Sequence, residues 1–288
     1  MNKNKIFNDP LYGFITIYSD LIFDIIEHPY FQRLRRIKQL GITDVVYPGA
    51  HHTRFHHALG AMHLMEQALL SLKNKGYQIS DQEFESSLIA ILLHDIGHGP
   101  FSHVLESTLL KKVNHELVSQ LFMEKLNQQF NGKLDMAIAI FKGTYRRPFF
   151  HELVSSQLDI DRMDYLNRDS YFTGVAEGIV SAERIIKMLE IVNDELVVAE
   201  KGVYSVEHFL NSRRLMYWQV YLHKTTIAAE EMLIQIVRRA KDLFTEGQEL
   251  YCTPALFTFL SKSYTYDEFK QDENLLRTFG EFDDYDIW

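Results

Sequence analysis

The chain holds one cysteine, Cys252, so an internal disulfide is excluded and a reducing compartment suits it. Long apolar runs are missing too. The strongest, LIAILL at 88–93, falls far short of the ~20 residues that cross a membrane. The opening MNKNKIFNDP has no apolar signal core, and there is no internal repeat, low-complexity tract or Gly/Ser linker. Basic charge is in deficit: 30 Lys and Arg stand against 39 Asp and Glu, for a net charge of −9. Affinity for a phosphate backbone comes mainly from Lys and Arg, so broad nucleic-acid binding is disfavoured, while a small anion in a local basic pocket is not. The expectation is a soluble, cytoplasmic protein without a membrane or nucleic-acid partner.

What is present is core. The 288 residues are 46% hydrophobic, enough for one large domain or one with a small appendage. Residues 5–18 alternate around a Pro/Gly turn and predict a hairpin or extended arm. Residues 20–40 predict two short helices broken at Pro29. GITDVVYPGAHHTRF reads as a loop, and HHALGAMHLMEQALLSLKNKG as a helix closed by Gly76. SDQEFESSLIAILLHDI predicts a helix opened by a Ser80–Glu83 capping box and stopped by Gly97. Helical patterns recur at 114–128, 133–141 and 150–170. A hairpin around Lys201-Gly202 covers 194–206, a long helix follows over about 207–243, and shorter ones fill 253–279. An all-α fold with minor β-hairpins is expected. The Ile-Trp ending belongs either to a chain cut short or to a docked tail.

Nine of the thirteen histidines fall between His51 and His115. The stretch LIAILLHDIGHGPFSH is apolar all round at 88–93, hence buried, and then ends on His94 and Asp95. A buried aspartate needs a partner or a cation. Neutral imidazole with carboxylate suits Zn, Fe, Mn or, less well, Mg. The turn at 97–100 lets His98 and His103 come back to the same point. Taken alone, the stretch also reads as a helix-capping network. HTRFHHALG adds His56 and His57, of which only one can face inward. SSQLDIDRMDYLNRDSYF adds Asp161, Asp164 and Asp169, and alone reads equally well as surface ion pairs.

Together, the order His…His-Asp…Asp, with IGHGPFSH after the adjacent pair, resembles the metal-dependent HD-domain phosphohydrolase superfamily. NDPLYG, FQRLRRIKQLG, YPGAHHTRFHHALG, LLHDIGHGPFSH, NHE, LDIDRMDYLNRD and YLHKT look most like its deoxynucleoside triphosphate triphosphohydrolase branch, which includes proteins that pair an HD domain with a SAM domain. The resemblance spans residues 5–225, and no SAM domain accompanies it. It implies the mostly α-helical HD-domain fold. Residues 1–50 would be an N-terminal arm and helices of the catalytic domain, 51–225 the HD core, and 226–288 a C-terminal helical extension.

The resemblance also implies residue roles. One divalent metal (Fe, Mn, Zn, Ni or Mg), with room for a second Mg, would sit on His57, His94, Asp95 and Asp161. His115 of VNHE would be the acid/base group, with Glu106 standing where the family usually has Asp. His98 and His103 would line the phosphate and leaving-group side. Arg54, Arg162, Arg213 and Lys224 would meet the triphosphate; Arg162 replaces a common lysine. Tyr165 and Tyr221 would pack on sugar and base, and Asp169 with Gln39 would hold the sugar 3′-hydroxyl. Leu40 would exclude a ribose, and Tyr217 stands where some relatives carry a histidine. Lys5, Asn8, Glu27, Gln32 and Arg35 match a regulatory nucleotide site between subunits, with Glu27 in place of an Asp. A homodimer or larger homo-oligomer is expected by resemblance.

The implied reaction is attack of water on the α-phosphorus, giving deoxynucleoside and inorganic triphosphate. Two other readings stand beside it. An HD phosphohydrolase for monophosphates, cyclic nucleotides or alarmones would use the metal core alone. A nucleotide-binding regulator without turnover would have no use for His115.

Overall fold

The computed structural model describes residues 5–110 and 113–288. Among these are fifteen α-helices and two antiparallel hairpins, so the expected all-α fold with minor β-hairpins is the one found. The first hairpin joins β1 (Lys5–Asp9) to β2 (Gly13–Ile17). Short helices α1 (Asp20–Glu27) and α2 (Pro29–Gln32) follow, the break falling at His28 because Pro29 is a good first helical residue and a poor interior one.

The centre is built from α3 (Arg54–Asn74), α4 (Asp81–Leu93) and, after α5 (Glu106–Leu109), α6 (His115–Gln129), α7 (Asp135–Phe141) and α8 (Phe149–Val154), from α9 (Ile160–Thr173). Helix α3 packs against both α4 and α9. Every residue from Leu88 to Leu93 is buried, as its all-round apolar sequence requires. The capping box of α4 forms: Ser80 Oγ accepts from Glu83 N–H at 3.2 Å, and Glu83 Oε2 accepts from Ser80 N–H at 2.9 Å.

The structure corrects four expectations. Helix α3 starts at Arg54, before the His56-His57 pair, because His56 Nδ1 accepts the Thr53 N–H at 3.1 Å and closes the first turn. The pattern at 150–170 is two helices, parted where the Asp159 carboxylate caps α9 through the Arg162 N–H at 2.8 Å. The second hairpin, after α10 (Ala182–Met188), is β3 (Leu189–Val192) with β4 (Glu195–Val198). It turns at Asn193-Asp194, both at positive φ, whereas Lys201-Gly202 lie in a 3-10 turn. The long helix is two, α11 (Val203–Met216) and α12 (Lys224–Thr245), separated by a π-helical turn over Tyr217–Tyr221.

Helices α13 (Pro254–Ser261), α14 (Tyr266–Gln271) and α15 (Glu273–Phe279) lead to a docked tail. Buried Arg33 donates to the carbonyls of Phe282 and Ile96, both at 2.8 Å. The Asp284 carboxylate accepts the backbone N–H of Lys38 at 2.8 Å and of Phe101 at 2.7 Å. The C-terminal residues thereby tie together the two loops that flank the site described next. No helix among the described residues is long and apolar enough to cross a membrane.

Candidate metal centre and adjoining cavity

Three elements deliver metal-capable atoms to one buried point. Helix α3 brings His57, the end of α4 brings His94 and Asp95, and the first turn of α9 brings Asp161. His57 Nε2 lies 3.1 Å from Asp161 Oδ1, 3.4 Å from His94 Nε2 and 3.7 Å from Asp95 Oδ2. His94 Nε2 is 3.4 Å from both Asp95 Oδ1 and Asp161 Oδ1. Ligands each about 2.1 Å from one ion stand roughly 3.0–3.4 Å apart, so His57, His94 and Asp161 fit a divalent cation, with Asp95 beside them and paired to Arg54.

The second ring nitrogens of the two histidines are also fixed. His57 Nδ1 meets Asp164 Oδ2 at 2.7 Å, and His94 Nδ1 donates to the Ile91 carbonyl at 2.6 Å. Each ring therefore turns Nε2 to the common point. Arg168 holds Asp164 in turn, at 2.9 and 3.0 Å, and reaches Asp9 at 2.8 Å; all three are buried.

The electrostatics point the same way. Burial opposes charging His57, yet its hydrogen bonds to Asp161 and Asp164 outweigh burial and raise it to about 10. For His94 burial likewise opposes, and Asp95 and Asp161 raise it. Burial works to raise Asp161, but His57 and His94 hold it below the usual carboxylate range. For Asp95 burial is again opposed, by His94 and then Arg54. Without an ion, protons on the imidazoles balance the carboxylates, and a divalent cation would replace them.

A cavity of about 550 Å³ opens from this point. On one wall His115 Nδ1 lies 3.1 Å from Glu106 Oε2, and the His98 ring stacks on the His115 ring at 3.9 Å. Burial would raise Glu106, but His103 and His115 pull it down to about 2, so it stays ionised. Burial, then Arg54, lowers His98, which is a neutral imidazole. Glutamate's extra methylene thus does not prevent the contact with His115.

Of the residues expected to meet substrate, Gln39, Leu40, Arg54, His103, Tyr165, Asp169, Tyr217 and Tyr221 line the cavity. Arg54 is ion-paired with Asp95 and donates to Ser102 Oγ at 2.9 Å. Three expected phosphate contacts are not among the lining residues. Arg162 is turned back to pair with Asp159, Arg213 reaches Gln157 at 3.4 Å, and Lys224 is exposed at the start of α12. The residues read as a regulatory site lie away from this cavity. Lys5 pairs with Glu27, Gln32 donates to the Ile26 carbonyl at 2.7 Å, Arg35 donates to Gln32 at 2.9 Å and covers the Phe55 ring, and Asn8 is exposed.

Glu230, Glu231 and Ile234 of α12 line the cavity and were not anticipated. Their Glu-Glu pair looks like any solvated helix face, and only the fold of 224–245 back over the site shows otherwise.

Comparison with known proteins follows the same outline. The HD domain family model matches residues 54–169, and the HD associated region model matches 180–251. The crystal structure of a phosphohydrolase, BT4208 of Bacteroides thetaiotaomicron, is 55% identical with a TM-score of 0.96, over 99% of this chain and 71% of that one. The uncharacterized protein YwfO of Bacillus subtilis is 39% identical over 96% of this chain and 65% of its own length. The Dictyostelium discoideum homolog of deoxynucleoside triphosphate triphosphohydrolase SAMHD1 is 30% identical over 86% of this chain and 50% of that protein. The chain thus spans between half and two thirds of these two curated relatives.

Proposed function

Starting from the HD-domain metal-dependent phosphohydrolases, the superfamily to which this chain belongs, we propose that it hydrolyses deoxynucleoside triphosphates to deoxynucleoside and inorganic triphosphate. The observation that carries this reading is the cavity itself. It joins Asp95 and Asp161 of the candidate metal centre to Gln39, Leu40, Tyr165, Asp169 and Tyr221, a lining suited to a sugar and a base as well as to phosphate. A phosphohydrolase acting on phosphate alone would need only the first end.

His57, His94, Asp95 and Asp161 would hold the divalent ion. Bound there, it supplies Lewis-acid polarisation of a phosphoryl oxygen and lowers the pKa of a bound water. His115 stands over the same end of the cavity and passes a proton to the leaving 5′-oxygen as the bond to the α-phosphorus breaks. Glu106, ionised across the working range, holds the imidazole in the required orientation through Nδ1. Arg54 presents its guanidinium between Asp95 and the phosphates. Leu40 takes the place beside C2′, where a ribose hydroxyl would meet an apolar side chain. Asp169 and Gln39 receive the 3′-hydroxyl.

The test is product chromatography after incubating metal-loaded protein with each deoxynucleoside triphosphate, singly and mixed, with Mn, Mg or Fe. Deoxynucleoside with intact triphosphate is the expected result. Monophosphate products, or no turnover with any metal, would sink the proposal. Turnover only in mixed pools would identify the Lys5, Asn8, Glu27, Gln32 and Arg35 region as the place to seek an activating nucleotide, and with it a homo-oligomer.

A further inference from the structure

His52 has no part in the chemistry above, yet it is wholly buried and spends its polar atoms on two cavity residues. Its Nε2 lies 2.7 Å from Asp169 Oδ1, and its backbone carbonyl accepts the Gln39 N–H at 3.0 Å. The Tyr221 hydroxyl donates to the other Asp169 oxygen at 2.8 Å. Burial, then Asp169, raises Tyr221 well above its ordinary value, so the phenol remains a donor. The ring of His52 stacks on Phe172 at 4.6 Å, which fixes its plane. Two polar atoms are left over: His52 Nδ1 and Gln39 Oε1 are buried without a hydrogen-bond partner.

A ring kept only to fill the core would be more stable without nitrogens, since an unpaired buried polar atom is destabilising. We propose that His52 is a positioning residue for substrate specificity. Its imidazole orients the Asp169 carboxylate and its backbone carbonyl orients Gln39, so one residue sets both halves of the clamp for the sugar 3′-hydroxyl. With Nε2–H and the Tyr221 hydroxyl each held by one Asp169 oxygen, the carboxylate cannot rotate, and the lone pair left facing the cavity accepts a hydroxyl at one place. The unpaired Gln39 amide oxygen lies beside it as a second acceptor. A hydroxyl missing from the substrate leaves these groups unpaired, which is how polar sites reject an analogue lacking one group.

This inference rests on the deoxynucleotide reading, and its test separates the two. Metal-loaded wild type, His52→Phe and His52→Gln are compared for kcat/KM on a deoxynucleoside triphosphate and on its 2′,3′-dideoxy counterpart, with metal content and melting temperature measured alongside. The wild type is expected to favour the 3′-hydroxyl substrate by about 100-fold or more. His52→Phe keeps the stack on Phe172 and removes the donor. The backbone carbonyl still holds Gln39, so the ratio should fall to a residual few-fold, about threefold, by losing rate on the hydroxyl substrate alone, with metal content unchanged. His52→Gln keeps an N–H donor and should recover at least a tenfold ratio. His52→Phe with the wild-type ratio, or with both substrates slowed equally, overturns the proposal. If His52→Phe does not melt as a folded protein, His52→Gln decides, since a folded Gln variant without discrimination overturns it as well. Absence of all turnover by wild type counts against the deoxynucleotide reading. The same ratio is then read as equilibrium affinity for the two triphosphates, where equal binding by wild type and His52→Phe overturns the role of His52.

Discussion

Asp164 Oδ2 meets His57 Nδ1 at 2.7 Å, on the opposite edge of the ring from the nitrogen that faces His94 and Asp161. The same carboxylate takes two hydrogen bonds from Arg168. Burial would raise Asp164, but Arg168 and His57 bring it down to about 2. The proposed inner ligand, His57, is therefore oriented by a carboxylate that favours its ionised form and is itself locked.

Asp164→Asn should weaken divalent metal binding about 10–100-fold, the usual loss when a carboxylate behind a ligating histidine is neutralised. Equilibrium dialysis with metal analysis measures this directly. Because Arg168 is left with Asp9 as its one anionic partner here, the variant should also lose roughly 3 kcal/mol of stability. Wild-type metal affinity in the variant would refute the role given to Asp164.

Gly60 lies one helical turn after His57, against this network. A Cβ there would overlap Arg168 Nη2 and Asp164 Oδ1, two atoms with no freedom to move. Gly60→Ala should therefore cost more stability than the alanine helix propensity returns, by a net 2 kcal/mol or so, and should lower metal content with it. An alanine variant as stable as wild type would show that the network yields.

His115→Ala should lower kcat by roughly 10²–10⁴-fold with metal content intact, the range for loss of a positioned acid/base group. Glu106→Gln should be milder, about tenfold, because the imidazole loses orientation and not its proton. His103 and His115 hold Glu106 at about 2 against burial, so Glu106→Gln should leave the shape of the pH profile above about pH 4 unchanged. A limb of the profile lost in the variant would assign that limb to Glu106.

Glu83 supplies a test of pH-dependent stability far from the metal centre. Burial favours its neutral form, but the Ser80 backbone N–H, the Tyr145 hydroxyl and hydrogen bonds from Ser80 and Arg147 bring it from 4.5 to about 2. A depressed carboxylate contributes its stability above the unfolded value, and that contribution fades as pH falls from about 5 toward 2. Glu83→Gln should thus melt about 3–6 °C below wild type at pH 7, for roughly 2 kcal/mol, and the gap should narrow by pH 3. A gap that stays constant with pH would mean that charge on Glu83 contributes nothing.

Much of this site is legible in the sequence because its proposed ligands sit at helix termini, where local rules are strong. Ser80 and Glu83 mark the start of α4, and Gly97 marks the turn after His94 and Asp95. Adjacency in a helix lets only one of His56 and His57 face inward; the resemblance points to His57, and the reason His56 is spent, its cap on Thr53, needs coordinates. What stays hidden depends on tertiary direction. The hairpin at 189–198 was displaced because Asn193-Asp194 competes with Lys201-Gly202 as a turn signal, and only strand pairing decides between them. Arg162, Arg213 and Lys224 carry the right charge, but Asp159, Gln157 and solvent claim them. His52 leaves no pattern at all, since its partner Asp169 is 117 residues away.

The double hydrogen bond of Asp284 also sets an order of assembly. The Lys38 and Phe101 amides that it receives lie 246 and 183 residues earlier in the chain. On a ribosome, therefore, Gln39 and the histidines of the 97–103 turn emerge long before the carboxylate that draws their loops together. A nascent chain halted short of residue 284 already owns every proposed metal ligand, but its cavity wall is unfastened. A closed cavity wall therefore waits for residue 284.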